Sequence, residues 1–411
     1  MTTIIWFIII FGTIVIVHEF GHYFFAKKSG ILVREFSIGM GPKLFGSRKN
    51  GTAYTLRALP LGGYVRMAGW QDEESELQPG AQVSLITNEA GVVMRINTSD
   101  KLMLEGGIPL QVSGADLVHA LTVTGYVNGD ETEEVTYPVD HDATVIESDG
   151  TEIQIAPTDV QYQSVAVWRR MLVNFAGPMN NFLLAIVAFF VLALAMGTPS
   201  TTNEIGGTTA DSPAALAGIK AGDKIVAING QKTPTFSAIQ TVIEAHKKQT
   251  MTFKVTRQQQ TKTIRVTPKS GVIGITSDTN HGVLNAIKYG FTQPWTIAKQ
   301  IFAALRSMVT GGFSLNKLAG PVGIYTMTSQ AAKGGIYNII WFLASLSVNL
   351  GIMNLLPIPM LDGGKLVLNI VEMFRRKPIP AEKEGMVTLV GAVLVFGLMI
   401  AVTINDILRI F

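Results

Sequence analysis

The sequence predicts a polytopic α-helical membrane protein with four transmembrane helices, a membrane-associated β-loop, a soluble extracytoplasmic α+β domain and a β-rich cytoplasmic insertion. Three observations carry the four spans and their orientation. Hydrophobic residues make up 47% of the 411 positions and charged residues 15%, against roughly 25% charged in an ordinary soluble domain. Four apolar runs, 4–28, 172–196, 339–356 and 386–407, approach the roughly 20 residues that a bilayer core requires. Basic residues gather at the same ends of those runs: Lys27 and Lys28, Arg169 and Arg170, then Arg375, Arg376, Lys377 and Lys383. By the positive-inside rule these ends face the cytoplasm, so both termini and residues 197–335 face outward.

The net charge of +3 argues against a nucleic-acid partner. The chain has no cysteine, so any metal must be held by His, Asp or Glu.

The first segment, 1–30, reads as a retained span and not a cleaved signal, because no basic region precedes its apolar run and Lys27-Lys28 close it. Inside it lies HEFGH, with His18, Glu19 and His22. Residues four apart project from one helix face about 6 Å apart along the axis, so two imidazoles can meet one ion. Glu19 follows the first of them, where the HExxH pattern puts a general base. Each ionisable group within a span costs roughly 2.5–3.5 kcal/mol on insertion scales, so three within five residues call for a partner such as a divalent cation. His18 lies about 10 Å by helical rise from the inner end of the run, which puts the site near the cytoplasmic face.

Residues 31–70 form the expected β-loop. They alternate apolar and β-branched residues around a bend at Pro60 and Gly62-Gly63, with apolar surface for lipid or for the core of the protein. Residues 71–165 hold 18 of the 30 Asp and Glu but only Arg95 and Lys101 on the basic side, and read as a solvated β-rich insertion. His119 and His141 within it read as surface residues. The second span occupies 166–198.

The soluble outer segment, 199–272, contains SPAALAGIKAGDKIVAINGQKT. A helix should start at Ser212-Pro213, a turn should occupy 220–223, and a strand at 225–228 should lead into the Asn229-Gly230 turn. The stretch resembles a PDZ domain, specifically the circularly permuted bacterial kind found on proteases. That resemblance implies either a docking module taking an extended peptide as an added strand or a purely structural copy of the fold. In 273–335, an amphipathic helix at 284–312 is followed by a linker; the helix either lies on the outer membrane surface or packs on the soluble domain.

The third span, 336–366, ends in NLLPIPMLDGG. Pro357 and Pro359 break the helix at the depth of the two histidines, and Asp362 follows the break. Catalytic zinc takes three protein ligands and leaves a position for water, so Asp362 is the leading third ligand. Residues 367–411 are read as a cytoplasmic loop and the fourth span.

HEFGH at His18 to His22 and NxxPxPxLDG from Asn354 to Gly363, in that order, resemble the site-2 protease family of intramembrane zinc metalloproteases. The bacterial branch with an extracytoplasmic PDZ domain is most similar, in its Gram-positive form that processes pheromone precursors and anti-sigma factors. FSIGMGP, LPLGGYV, AGPMNNF and LAGPVGI are further family-like pieces. The chain departs from the best-known member in having one PDZ-like segment and a large acidic insertion.

The resemblance implies Zn2+ on His18, His22 and Asp362, water activation by Glu19, and membrane-spanning peptide or protein substrates. It further implies that Asn354 and the loop residues Tyr54, Leu56, Gly62 and Gly63 hold the substrate backbone. An unwound substrate helix needs such partners, since lipid offers its backbone none. Two rival readings are an inactive scaffold, opposed by the intact Glu19, and a metal transporter, opposed by the lack of His or acidic residues near the centres of spans two and four.

Overall fold

Residues 2–69, 77–99 and 106–410 are described by the computed structural model. Residues 71–76 and 100–105 of the expected acidic insertion lie outside them. Contacts divide the chain into one unit of 1–185 and 296–411 and another of 186–295.

Helix α1 (Thr2–Lys28) is the first apolar run. A hairpin of β1 (Val33–Lys49) and β2 (Thr52–Met67) follows. Both strands bend, so residues near the start of β1 pair twice: Phe36 faces Val65 and Tyr54, and Ile38 faces Gly63 and Leu56. The expected bend near Pro60 is what brings residues 63–67 back beside β1. Glu35, 1% exposed at the centre of this sheet, accepts hydrogen bonds from Thr55 Oγ1 (2.5 Å), Arg57 Nη2 (2.8 Å) and Tyr64 Oη (2.8 Å). Burial, reinforced by Glu35, pushes the Tyr64 phenol up from its ordinary pKa.

The insertion is the β-rich body expected. Strands β3 (Gln82–Thr87), β4 (Val93–Asn97), β5 (Ile108–Asp116), β6 (Thr122–Val127), β7 (Glu134–Ile146) and β8 (Glu152–Gln154) pair in the order β4-β3-β5-β6-β7-β8, and a β4–β7 pairing closes the sheet on itself. Leu85, Ile96, Leu110, Val123 and Val145 fill its core. His119 and His141 are exposed on it, as expected.

Part of its acidity is paired with the hairpin. Glu147 pairs with Arg66 (2.7 Å), Asp149 with Arg57 (3.4 Å) and Glu152 with Arg48 (3.6 Å), so carboxylates near the β7–β8 turn clamp the basic hairpin. Composition does not distinguish that role from a solvated face.

Helix α2 (Val167–Met196) is the second apolar run. In the unit of 186–295, β9 (Thr198–Pro199) leads to β10 (Ile205–Thr208), α3 (Pro213–Leu216), β11 (Lys224–Ile228), β12 (Gln231–Lys232), α4 (Phe236–Ala245), β13 (Met251–Arg257), β14 (Gln260–Val266), β15 (Ile275–Ser277) and β16 (Thr279–Asn280). The main sheet runs β12-β11-β13-β14, with β10 on β15 and β9 on β16. Ser212 caps α3 by accepting from Ala215 N, with Pro213 at its first position, and positive φ at Asn229 and Gly230 makes the tight turn. Helix α5 (Val283–Thr310) is the expected amphipathic helix. Within this unit its first turns pack on the end of α2, with Tyr289 edge-on to Phe189, a contact outside both sequence alternatives.

Asp223, fully buried, pairs with Arg257 (Nε–Oδ1 2.6 Å, Nη2–Oδ2 2.7 Å) and accepts from Lys220 N (2.8 Å). Burial alone would raise its pKa, but the guanidinium and the amide prevail and hold the carboxyl below its usual range. This group's stabilisation is therefore complete above its unfolded value of about 3.9 and is lost as pH falls through the lower folded value. Arg257→Leu is expected to destabilise the unit by about 3 kcal/mol at neutral pH, by stranding a buried charge. Amide exchange in β11 and β13 of the full-length protein checks this; unchanged protection would contradict it.

Helices α6 (Pro321–Lys333), α7 (Ile336–Asn354), α8 (Asp362–Arg375) and α9 (Ala381–Ile410) complete the chain. Among the described residues, α1, α2, α7 and α9 contain the helical stretches long and apolar enough to cross a bilayer. Asp406 of α9 accepts from Gly320 N and Gly323 N (2.8 Å each), capping α6 and accounting for LAGPVGI.

The third apolar helix ends at Asn354, just before the proline break, and one expectation needs correction: residues from 367 onward, expected as a loop, continue the helix that Asp362 opens. That helix is disguised in the sequence because its inward face is polar. Asn369 and Glu372 are buried, whereas Val367, Ile370, Val371 and Phe374 are exposed, the reverse of a soluble amphipathic helix.

Candidate metal centre

Three elements converge on one point. His18 and His22 leave the same face of α1, both buried, and Asp362 is the first residue of α8, also buried. Their facing atoms form a near-equilateral triangle: His18 Nε2 to His22 Nε2 3.2 Å, His18 Nε2 to Asp362 Oδ2 3.2 Å, and His22 Nε2 to Asp362 Oδ2 3.4 Å. Three donors about 2.0–2.1 Å from one tetrahedral ion stand about 3.3 Å apart, so the set fits zinc. Asp362 Oδ2 is buried and has no hydrogen-bond partner, which suits a carboxylate that ligates a cation. Among the described residues this is the one His/Asp/Glu cluster with ligand spacing and full burial.

Contacts from α2 and the break after α7 position these side chains. His22 Nδ1–H donates to Val173 O of α2 (2.7 Å); a carbonyl only accepts, so the neutral ring carries its proton on Nδ1 and leaves the Nε2 lone pair for the cluster. His18 Nδ1 meets the Asn181 amide of α2 (3.1 Å). Asp362 is delivered by the break after α7. Pro357 and Pro359 prevent the helix from continuing, and α8 starts against the preceding turn so closely that a Cβ on Gly363 would meet Leu355 O and Leu356 O at 2.3 Å.

Helix α2 crosses α1 closely at the site. Gly21 admits the neighbouring backbone, for a Cβ there would lie 2.4 Å from Ala176 O. Gly177 lies against the histidines themselves: a Cβ would stand 2.3 Å from His22 Nε2 and 2.8 Å from His18 Cε1. Val173, Gly177 and Asn181 therefore belong to the site, although sequence reasoning assigns them nothing. The signal is present in AGPMNNF, whose glycine and second asparagine face α1, but nothing in the spacing shows which helix faces the histidines.

Of the other expected residues, Glu19 is half-buried beside the bent hairpin, with a Cβ on Gly63 falling 3.7 Å from Glu19 Cγ. Gly62 precedes it at φ +116. Tyr54 hydrogen-bonds Tyr23 across to α1 (Oη–Oη 2.7 Å), and burial with that contact pushes its phenol up to about 12. Leu56 is exposed on the hairpin, and Asn354 is half-buried at the end of α7. The hairpin thus meets α1 beside Glu19 through Gly63.

Residues 6–398 match peptidase family M50. The chain is 48% identical over 422 residues to the Enterococcus faecalis protein named "Probable protease eep", with all of both chains covered. It is 48% identical over 427 residues to a Lactococcus lactis subsp. lactis protein, covering 100% of this chain and 99% of the relative. A Streptococcus pyogenes serotype M6 protein is 49% identical over 422 residues, with all of both covered. These last two carry the name "putative zinc metalloprotease". Four apolar helices and this cluster, taken with those relatives, define a multi-pass membrane zinc metalloprotease. Within that class, the chain belongs to peptidase family M50, the site-2 protease family.

Proposed function

We propose that the chain cleaves peptide bonds inside transmembrane segments of membrane-anchored substrates, with His18, His22 and Asp362 as zinc ligands and Glu19 as general base. The observation that carries this is the buried 3.2–3.4 Å triangle between α1 and the start of α8. When bound there, zinc supplies a Lewis acid that acidifies a water molecule and polarises a carbonyl oxygen. Glu19 takes a proton from the attacking water and returns it to the departing amine as the C–N bond breaks. Val173 and the α2 backbone hold the His22 ring in its ligating tautomer.

Substrate helices must be unwound before attack, because an intact helix shields its carbonyls and lipid offers no replacement partners. Residues 63–67 of β2, beside Glu19, can extend their sheet onto such a strand; Gly62 and Gly63 adjoin this receiving edge, Tyr54 and Leu56 lie across β1 from it and would act through the face of the sheet, and Asn354 belongs to the far side. Exposed Met40, Leu44, Phe45 and Leu59 on the hairpin favour lipid contact.

The segment 199–272 acts as a PDZ domain, a reading supported by its capped α3, the Asn229-Gly230 turn and its antiparallel sheet. With basic residues inside, the termini and this domain face outward and the centre lies near the cytoplasmic face of a bacterial plasma membrane. Anti-sigma factors and the membrane remnants of signal peptides or pheromone precursors are suitable substrates, each a single span.

The test is purified protein with a membrane-spanning reporter in proteoliposomes. A strong chelator should abolish cleavage and stoichiometric zinc restore it, while Asp362→Ala should lose zinc at least about tenfold more readily than wild type. Chelator-resistant cleavage, or full zinc occupancy in Asp362→Ala, would remove the reading.

A further inference from the structure

The two histidines are oriented differently. His22 faces a backbone carbonyl, which allows one tautomer only. Asn181 Nδ2 lies 3.1 Å from His18 Nδ1, and Asn181 is fully buried in α2. The backbone of the same residue is tied to a third helix, since Ser347 Oγ of α7 donates to Asn181 O (2.8 Å). The preceding residue is tied as well, since Asn180 Nδ2 donates to Val17 O of α1 (3.0 Å). Asn181 is thus held from both sides while its amide meets the ring.

Carboxamide nitrogen and oxygen occupy nearly equivalent positions, so either can face the imidazole. With Nδ2 toward His18, Nδ1 must accept, and the neutral ring then carries its proton on Nε2. That is the atom 3.2 Å from both His22 Nε2 and Asp362 Oδ2. A protonated Nε2 cannot ligate. With Oδ1 toward His18, the ring donates from Nδ1 and its Nε2 lone pair points into the triangle. In the first arrangement the buried Asn181 Oδ1 has no partner; the second gives it the His18 Nδ1–H to accept.

We propose that Asn181 is a positioning residue for the metal centre: its Oδ1 accepts the His18 Nδ1–H, fixing the ligating tautomer and ring plane, with Ser347 holding Asn181 in place across α2 and α7. The inference rests on His18 being a zinc ligand. It adds a requirement that HExxH does not contain, an acceptor supplied by another helix.

Zinc affinity, measured on full-length protein in detergent by competition with a chromogenic chelator, tests this apart from catalysis. Asn181→Leu keeps the volume and deletes the acceptor; it should weaken zinc binding by roughly ten- to a hundredfold. Asn181→Asp, which can only accept, should stay within about threefold of wild type, scaled on that same range. The cobalt-substituted Asp variant should keep the wild-type visible spectrum, and the Leu variant should lose its intensity. If the Leu variant does not yield monodisperse protein, Asn181→Ala takes its place.

Wild-type affinity in the Leu or Ala variant, or equal losses in Leu and Asp, would overturn the assignment. His18→Ala run in parallel separates the two levels. Zinc retained in His18→Ala sinks the ligand set itself, whereas zinc lost there but kept in Asn181→Leu sinks only the role of Asn181.

Discussion

Glu19→Gln is expected to leave zinc content and folding at wild-type levels while lowering hydrolysis of a membrane-spanning reporter roughly a hundred- to ten-thousandfold, the range contributed by a positioned general base. The substitution is nearly isosteric. It removes only the capacity to take a proton, and Glu19 lies on α1 outside the triangle formed by His18, His22 and Asp362. Its setting beside Gly63 leaves space for the same side-chain volume. Measuring turnover and bound zinc on one preparation separates the effect from metal loss. Unchanged turnover would assign the proton transfer elsewhere, and zinc lost together with turnover would make Glu19 part of the ligand set.

Gly177→Ala carries the second large effect. In an ordinary helix this exchange is favourable by up to about 1 kcal/mol, because alanine restricts the unfolded chain and glycine does not. Here the added Cβ would stand 2.3 Å from His22 Nε2, 2.7 Å from His22 Cε1 and 2.8 Å from His18 Cε1. Those atoms belong to both metal-facing rings, so they cannot retreat without opening the triangle. We expect zinc affinity to fall by at least about tenfold, as when ligand orientation is lost, while α2 remains intact by circular dichroism. A helix-favouring substitution that empties a metal site is an outcome that general destabilisation does not imitate. Wild-type zinc content in Gly177→Ala would mean that the rings are held elsewhere than this geometry places them.

Much of the centre is legible in the amino-acid sequence. His18 and His22 are readable because helical periodicity places residues four apart on one face wherever the helix lies. Asp362 is readable because two prolines must end a helix, and an acidic residue just beyond the break stands at a predictable depth. The turn at Asn229-Gly230 and the cap at Ser212 are equally local, set by backbone preferences within a few residues.

The departures from expectation share a cause. Helix α8 buries a polar face, Asn369 and Glu372, and Glu372 is held inside by Arg170 of α2 at 2.8 Å and by Ile379 N, which donates to it at 2.8 Å. Asn369 likewise has its partner in Tyr162, at the end of the insertion (3.2 Å). The acidic insertion has the composition of a solvated body, yet Glu147 and Asp149 meet arginines about eighty to ninety positions earlier in the chain. In each case a polar residue looks destined for water because its partner is distant in sequence.

The sequence by itself determined the four apolar runs, the residue types able to bind a metal and the helix break that frees Asp362, since each follows from hydropathy, period or backbone sterics over a short window. Only the tertiary structure decided that α2 supplies the setting of the site: Val173 O on His22, Asn181 on His18, and Gly177 making room for both rings. Those contacts depend on how two helices about 150 residues apart cross and rotate against each other. Packing of whole faces sets that crossing, and no local pattern encodes it.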